Sequence, residues 1–320
     1  MDKVPYKFVD SVVELFDGEE TLDPLFYEVT HPLWKRVLDV HHRNREYYNV
    51  YFRKKDSGIQ FVAQKQGTEI YEDLGPIQKN RRFARIVRVE DQTGCLNDPL
   101  WEGAKTLREV DAAKQLERIA PQLEQSSRIL VGDLRCQDIM LSSLSNMVFG
   151  GISLIIDGQK SLTFLEHQIT NSPFLDFIAL HEGDEDGNRW PQFVVPLLEQ
   201  FCLKRSPGRH VYLDIRNAFE AKIKMNLIHR LFEHWKEKGT LNLTLPLSDV
   251  EDYPTPLKNG AVTELEPDTF WSVIRHESAK SIAVCYTGAH MDSLLEFRTC
   301  TCDLSEDCLL KEYYPEYHKF

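Results

Sequence analysis

Apolar positions near the N-terminus recur at a helical interval. Phe8, Val9, Val12, Val13 and Phe16 lay one broad stripe along about two turns after Pro5, and Asp17-Gly18 ends it. Leu22, Leu25, Phe26 and Val29 mark a second short helix, with Thr21 placed to cap it and Pro24 in its first turn, where a missing N–H is harmless. Leu33, Trp34, Val37, Leu38 and His41 mark a third, opened by Thr30 or His31 and by Pro32. A segment of about forty residues with so much apolar surface cannot cover itself; the rest of the chain or another protein must do so.

The period then changes. Tyr48, Val50 and Phe52 alternate with polar residues, Lys54 to Gly58 supplies turn chemistry, and Ile59 to Ala63 resumes the alternation, which predicts a β-hairpin. Ile70–Asp73 and Phe83–Val89 read as further strands, and Gln92–Pro99 as a bounding loop. Beyond it Leu107, Val110, Leu116, Ile119 and Leu123 predict a helix, Ile129–Val131 a short strand and Ile139–Met147 another helix. Strands at Ile152–Ile156, Leu175–Leu180 and Val211–Ile215 each precede a helical pattern, and Leu241–Leu245 closes the series. The central strand positions Leu154, Ile178, Leu213 and Leu243 are 24, 35 and 30 residues apart, a strand-helix repeat. Residues 246–269 read as a Pro-rich loop, Phe270–Ile274 as a helix, and Ile282–Tyr286 with Leu294–Thr299 as a closing hairpin.

The predicted fold class is α/β. It comprises a short three-helix N-terminal head (1–46), a small β-rich linker subdomain (47–98), a strand-helix repeat domain (99–249) and a C-terminal cap with a loop and β-hairpin (250–320). Two architectures fit the repeats: an irregular, leucine-rich-repeat-like solenoid with parallel strands on its concave face, or an open doubly wound sheet. The near-regular period and the lack of a Gly-rich strand-to-helix turn favour the solenoid.

The N-terminal pattern resembles an F-box, the module that docks substrate receptors onto the Skp-type adaptor of cullin-RING ubiquitin ligases. The residues that carry the resemblance are Val4-Pro5, the stripe Phe8 to Phe16, Leu22-x-x-Leu25, Val29 and Trp34. The chain departs from the family at Val4 and Lys7, where Leu and an acidic residue are usual, and in a Val29-to-Trp34 interval one residue wider than is common. An ordinary helical cap on the chain's own domain is the alternative. Over the whole length, the layout and phrases such as Phe164-Leu-Glu-His167, Asn171-Ser-Pro-Phe-Leu175, Trp190-Pro191 and Cys300-Thr-Cys302 are similar to nematode F-box and F-box-associated proteins. The resemblance implies a non-catalytic adaptor of a Skp/cullin/RING-type ligase. A Skp-type partner would meet Val4, Pro5, Phe8, Val9, Val12, Val13, Phe16, Leu22, Leu25 and Trp34, and the repeats would bind an unknown protein substrate. A scaffold without a ubiquitin link and a divergent α/β enzyme are the other classes.

Composition narrows the field. At 42% hydrophobic and 28% charged, the chain has enough apolar residues for a large core. No apolar run approaches the ~20 residues of a membrane span, and Met-Asp-Lys-Val-Pro lacks a signal peptide's layout, so a cytoplasmic or nuclear protein is expected, with no membrane partner. Seven scattered cysteines fit a reducing compartment. The net charge of −12 hides a basic segment, residues 35–88, which carries thirteen Lys and Arg against six Asp and Glu. These charges alternate with apolar residues as on an exposed sheet face, and the acidic remainder would repel a polyanion, so no nucleic-acid partner is expected.

Catalytic motifs are missing: there is no Gly-x-Ser-x-Gly, His-Glu-x-x-His or Gly-x-x-x-x-Gly-Lys. An enzyme would have to use Asp157, Glu182, Arg216 and Asn217 at the strand ends, a weak set. Asp184, Asp186 and Asn188 imitate the start of a calcium loop, but Gly187 comes early and Val195 stands where a bidentate carboxylate is needed. Cys300, Cys302, Cys308 and His318 could offer three thiolates and an imidazole to Zn²⁺, although a Cys-x-Cys pair is not the usual knuckle and buried free thiols are the plainer reading. No catalytic residue, metal or cofactor is expected. His41-His42 and Glu166-His167 read as capped or exposed helix-face residues.

Overall fold

A computed structural model gives the fold and describes residues 4–67, 69–94, 99–182, 194–203, 208–216, 221–247, 261–266, 269–288, 293–304 and 308–319. The chain divides into two compact units, residues 1–155 with 159–175 and residues 156–158 with 176–320. Each is a mixed α/β structure built on a sheet.

In the first unit, α1 (Tyr6–Glu14), α2 (Asp23–Glu28) and α3 (Pro32–Asn44) lie where the apolar stripes place helices, and a π-helical turn, Gly18–Leu22, runs directly into α2. The strands and helices that follow are β1 (Glu46–Lys55), β2 (Gly58–Lys65), β3 (Ile70–Tyr71), α4 (Gly75–Lys79), β4 (Ala84–Asp91), β5 (Thr106–Leu107), α5 (Glu109–Ile119), β6 (Leu123–Leu130), α6 (Leu134–Ser143), β7 (Gly151–Ile156) and α7 (Gln159–Asn171). β1 and β2 form the expected hairpin, with Lys55 opposite Gly58. Gly58 has φ +133°, and a Cβ there would fall 2.3 Å from the Leu107 carbonyl oxygen, so both backbone conformation and space demand glycine. The sheet order is β3-β2-β1-β4-β6-β7, and β1, β4, β6 and β7 are parallel neighbours.

The second unit contains β8 (Phe177–Glu182), α8 (Val194–Leu203), β9 (Val211–Arg216), α9 (Ala221–Lys238), β10 (Leu243–Pro246), β11 (Ala261–Glu266), β12 (Thr269–Arg275), β13 (Ser281–Gly288), β14 (Leu294–Thr299), α10 (Leu309–Tyr313) and α11 (Pro315–His318). Its sheet runs β8-β9-β10-β14-β13-β12-β11; β8, β9 and β10 are parallel, and the last four strands form an antiparallel meander. In each unit every parallel strand is added on the same side of the one before. Among the described strands, neither parallel ladder contains the order reversal at which a doubly wound sheet opens a ligand crevice.

The aligned repeat positions Leu154, Ile178, Leu213 and Leu243 are all fully buried, and Ile178 and Leu180 pair with Leu213 and Ile215 as the pattern requires. Leu243, however, lies beside Val211 rather than Leu213, a shift of two residues that keeps the same face inward. Other expectations are corrected. Phe270–Ile274 is the middle of β12, hydrogen-bonded to a strand on each side, instead of a helix, and the Pro-rich stretch before it contains β11. Leu107 and Leu123 flank α5 as parts of β5 and β6. The basic segment is not simply an exposed face, because Arg45, Arg53 and Arg85 are buried. No helix among the described residues is long and apolar enough to cross a membrane.

Candidate functional site

The N-terminal helices close a small core of their own. Val9, Val13, Leu22, Val37 and Leu38 are fully buried in it, and Val4, Phe16, Leu25 and Trp34 pack half-buried around them. Val9, Val13 and Leu22, three of the residues expected to meet a partner, are thus closed inside the helices' own core. Pro5 and Phe8 are exposed, and Val12 is half-buried. The sequence stripe missed two further residues: Leu15 and Tyr27 are 78% and 77% exposed, against 57% for Phe8. Phe8 and Leu15, seven positions apart, lie on one side of α1 and its C-terminal end. Tyr27 packs edge-on to Phe26, which stacks on His42 at 4.0 Å.

Buried polar contacts tie this region into the first unit's sheet. The Arg45 guanidinium donates to the carbonyls of Phe16 (2.6 Å), Val13 (2.9 Å) and Glu14 (3.3 Å), the last of which belong to the end of α1, and to Glu124 Oε1 on β6 (3.4 Å). Arg85 on β4 also donates to the Glu14 carbonyl, at 3.0 Å. The Gly18 N–H donates to Glu124 Oε2, while Asp17 accepts from the backbone N–H and hydroxyl of Ser126. His41, on the stripe that marks α3, is fully buried, with Nε2 2.9 Å from Asp10, which also accepts two bonds from Arg82.

Burial, and after it the neighbouring Asp17 carboxylate, push the Glu124 carboxyl up to about 7 against the pull of the Gly18 N–H and of Arg45 and Arg85. The folded protein thus holds this proton more tightly than the unfolded chain does. The resulting stability is fully present below the ordinary value of 4.5 and is lost as pH rises through about 7. Glu124→Gln, which cannot titrate, should remove this component. Between pH 5 and pH 7.5 the parent should lose up to about 3 kcal/mol relative to the variant in urea unfolding, and parallel profiles would refute the assignment.

A second constellation lies at the C-terminus of the second unit. β14 ends at Thr299, so Cys300 and Cys302 sit on a turn, closed by a Leu304 N–H to Thr301 carbonyl bond of 2.8 Å, and not on the strand itself. Cys308 precedes α10 and His318 ends α11. The Nε2 of His318 is 3.3 Å from Cys300 Sγ and 3.2 Å from Cys302 Sγ; Cys308 Sγ is 3.9 Å from Cys300 Sγ. All four donor atoms lie within 4.8 Å of one another. The Thr301 N–H donates to Cys308 Sγ at 3.4 Å. Burial acts to raise the Cys308 thiol, but backbone N–H groups of Thr301 and Lys311 outweigh it and hold it down at about 7; Cys302 is pushed up to about 11, first by its hydrogen bond with Cys300. Cys136, Cys202 and Cys285 are buried elsewhere.

Asp184, Asp186 and Asn188 lie outside the described residues, as do Asn217 and the Glu182 side chain. Arg216 pairs with Asp214 at 2.8 Å. No family model, no curated protein and no solved structure matches this chain.

Proposed function

We propose that the protein is a non-catalytic recognition adaptor. Its N-terminal helices dock a Skp-type partner of a cullin-RING ubiquitin ligase, and its strand-helix region holds a protein target. The observation that carries the reading is the exposure of Phe8, Leu15 and Tyr27 on a segment in which Val9, Val13, Leu22, Val37 and Leu38 are closed in a core. Large apolar side chains more than half in water on short helices are the kind of anchors that helix-mediated docking uses. Within each unit the one-directional order of the parallel strands supports reading them as solenoid-like repeats. On its β8–β9 part, Phe177 and Tyr212 are cross-strand partners with rings stacked at 5.2 Å, on the face opposite Ile178 and Leu213, and this face is the one we assign to the target. The adaptor's contribution to catalysis is positioning alone.

Co-purification of the full chain with a Skp-type adaptor tests the proposal. Phe8→Ala combined with Leu15→Ala should weaken capture about tenfold or more while leaving unfolding within ~0.5 kcal/mol of the parent, since neither side chain is packed. A parent that is not captured, or a variant captured equally well, would sink it. The buried ties of Arg45, Asp17 and Glu124 support a second reading, a scaffold without a ubiquitin link whose N-terminal helices belong to the fold. That reading predicts that removing residues 1–45 precipitates the remainder.

A further inference from the structure

From the convergence of Cys300, Cys302, Cys308 and His318 we infer that the C-terminal segment is built around a structural zinc ion. Tetrahedral Zn²⁺ with sulfur at about 2.3 Å and nitrogen at about 2.0 Å sets donor atoms about 3.8 Å apart for two sulfurs and about 3.6 Å apart for sulfur and nitrogen. The observed 3.9, 3.3 and 3.2 Å are within a few tenths of those edges.

Hydrogen bonding alone accounts poorly for the cluster. An imidazole nitrogen carries either one hydrogen or one lone pair, so His318 Nε2 can offer the Cys300 and Cys302 sulfurs only one shared, weakened bond, yet both lie against it. A cation at the centre turns these contacts into edges of one coordination polyhedron. The Thr301 N–H directed at Cys308 Sγ is the outer contact expected of a zinc thiolate, because it offsets part of the sulfur's charge. Three thiols and one imidazole select a soft, tetrahedral ion over calcium or magnesium, and four protein donors leave no open position for water, which makes the site structural. Each thiol gives its proton to solvent as its sulfur becomes a ligand.

The fold explains what such an ion would do. Cys300 and Cys302 leave β14, while Cys308 and His318 bracket α10 and α11. These helices cover β12 and β13 with few residues: Cys308 and Leu310 join Val273, Ile282 and Val284 in a small cluster, with Tyr314 and Tyr317 beside Trp271. So little apolar surface is weak anchorage for the chain's end, and a metal that joins the strand exit to both ends of the helical segment holds it in place.

The test uses the full chain, stripped with a chelator under reducing conditions and titrated with Co²⁺ and then Zn²⁺. The parent should develop the visible and thiolate charge-transfer absorption of tetrahedral cobalt, saturating at one equivalent and abolished by Zn²⁺, and zinc should restore amide-exchange protection to residues 308–318. Cys302→Ser, at an exposed position, and His318→Ala should each lose the parent spectrum. Cys285→Ser, a buried thiol outside the cluster, should keep it. A parent that binds no stoichiometric metal, or a Cys302→Ser variant with the parent's spectrum, overturns the inference. So does a Cys300–Cys308 disulfide in freshly reduced, metal-exposed protein.

Discussion

Arg45→Met should lower the stability of the first unit by about 3 kcal/mol or more, among the largest effects of any single substitution in that unit. Methionine keeps the stem and its volume but leaves the carbonyls of Val13, Glu14 and Phe16 without the donors that now reach them at 2.9, 3.3 and 2.6 Å. The Val13 and Glu14 carbonyls end α1 and Phe16 follows it, and Arg45 serves them from the C-terminal end of α3, so one guanidinium fixes the crossing of two helices. Arg45→Lys should recover little, because an ammonium cannot span three acceptors in the plane a guanidinium offers. The ion pair with Glu124 is the lesser part of the effect. Burial and Asp17 hold that carboxyl substantially protonated near neutrality, so its attraction to Arg45 is diminished there. Arg45→Met with Glu124→Gln should therefore stay close to Arg45→Met alone, with a coupling below about 1 kcal/mol in urea unfolding at pH 7. Rescue of most of the loss by Glu124→Gln would show instead that the ion pair, not the carbonyl capping, is what Arg45 supplies.

Interactions of this kind set the boundary of what the sequence discloses. Leu154, Ile178, Leu213 and Leu243 are legible because burial of alternate strand residues is a local, period-two property. The pairing of Leu243 with Val211 is not, since shifting a strand by two residues leaves the same side chains inward and the choice falls to distant packing. Phe270–Ile274 is a short apolar run that either period accommodates, and it becomes a strand because β11 and β13 lie on both sides of it. Arg45 and Arg85 read as surface charges because their acceptors, Glu124 and the Glu14 carbonyl, are 79 and 71 residues away. In the N-terminal helices one stripe holds both the exposed Phe8 and the buried Val9, Val13 and Leu22, since an amphipathic pattern does not say which part of its apolar arc the helix's own neighbours will cover. The cysteines and His318 were visible as residues of the right type. Their meeting depends on the turn after β14 and on two short helices that bring position 318 back to 300 and 302.

In the second unit, Trp235→Ala should be the most damaging truncation, costing about 3–5 kcal/mol. The side chain on α9 is 1% exposed and packs against Phe232, Phe297 and His276 with ring separations of 5.4, 5.7 and 5.3 Å. Its removal leaves a cavity in which three aromatic groups lose a neighbour, and the surrounding strands restrict collapse. The indole N–H adds a directional term, donating to Ser281 Oγ at 2.7 Å. Trp235→Phe should therefore cost less than alanine but still about 1–3 kcal/mol, and Ser281→Ala, which leaves a buried indole N–H unsatisfied, a comparable amount. Ser281 lies opposite Thr299 across β13 and β14, and its hydroxyl is 3.1 Å from that of Thr299, the residue before Cys300. Loss of the indole should thus loosen the strand end from which the cysteines leave as well as the core. Hydrogen exchange resolved by segment is the measurement: protection should fall in α9, β13 and β14 together in Trp235→Ala. An effect confined to α9 would mean that the indole fills space in its own helix layer without holding the meander against it.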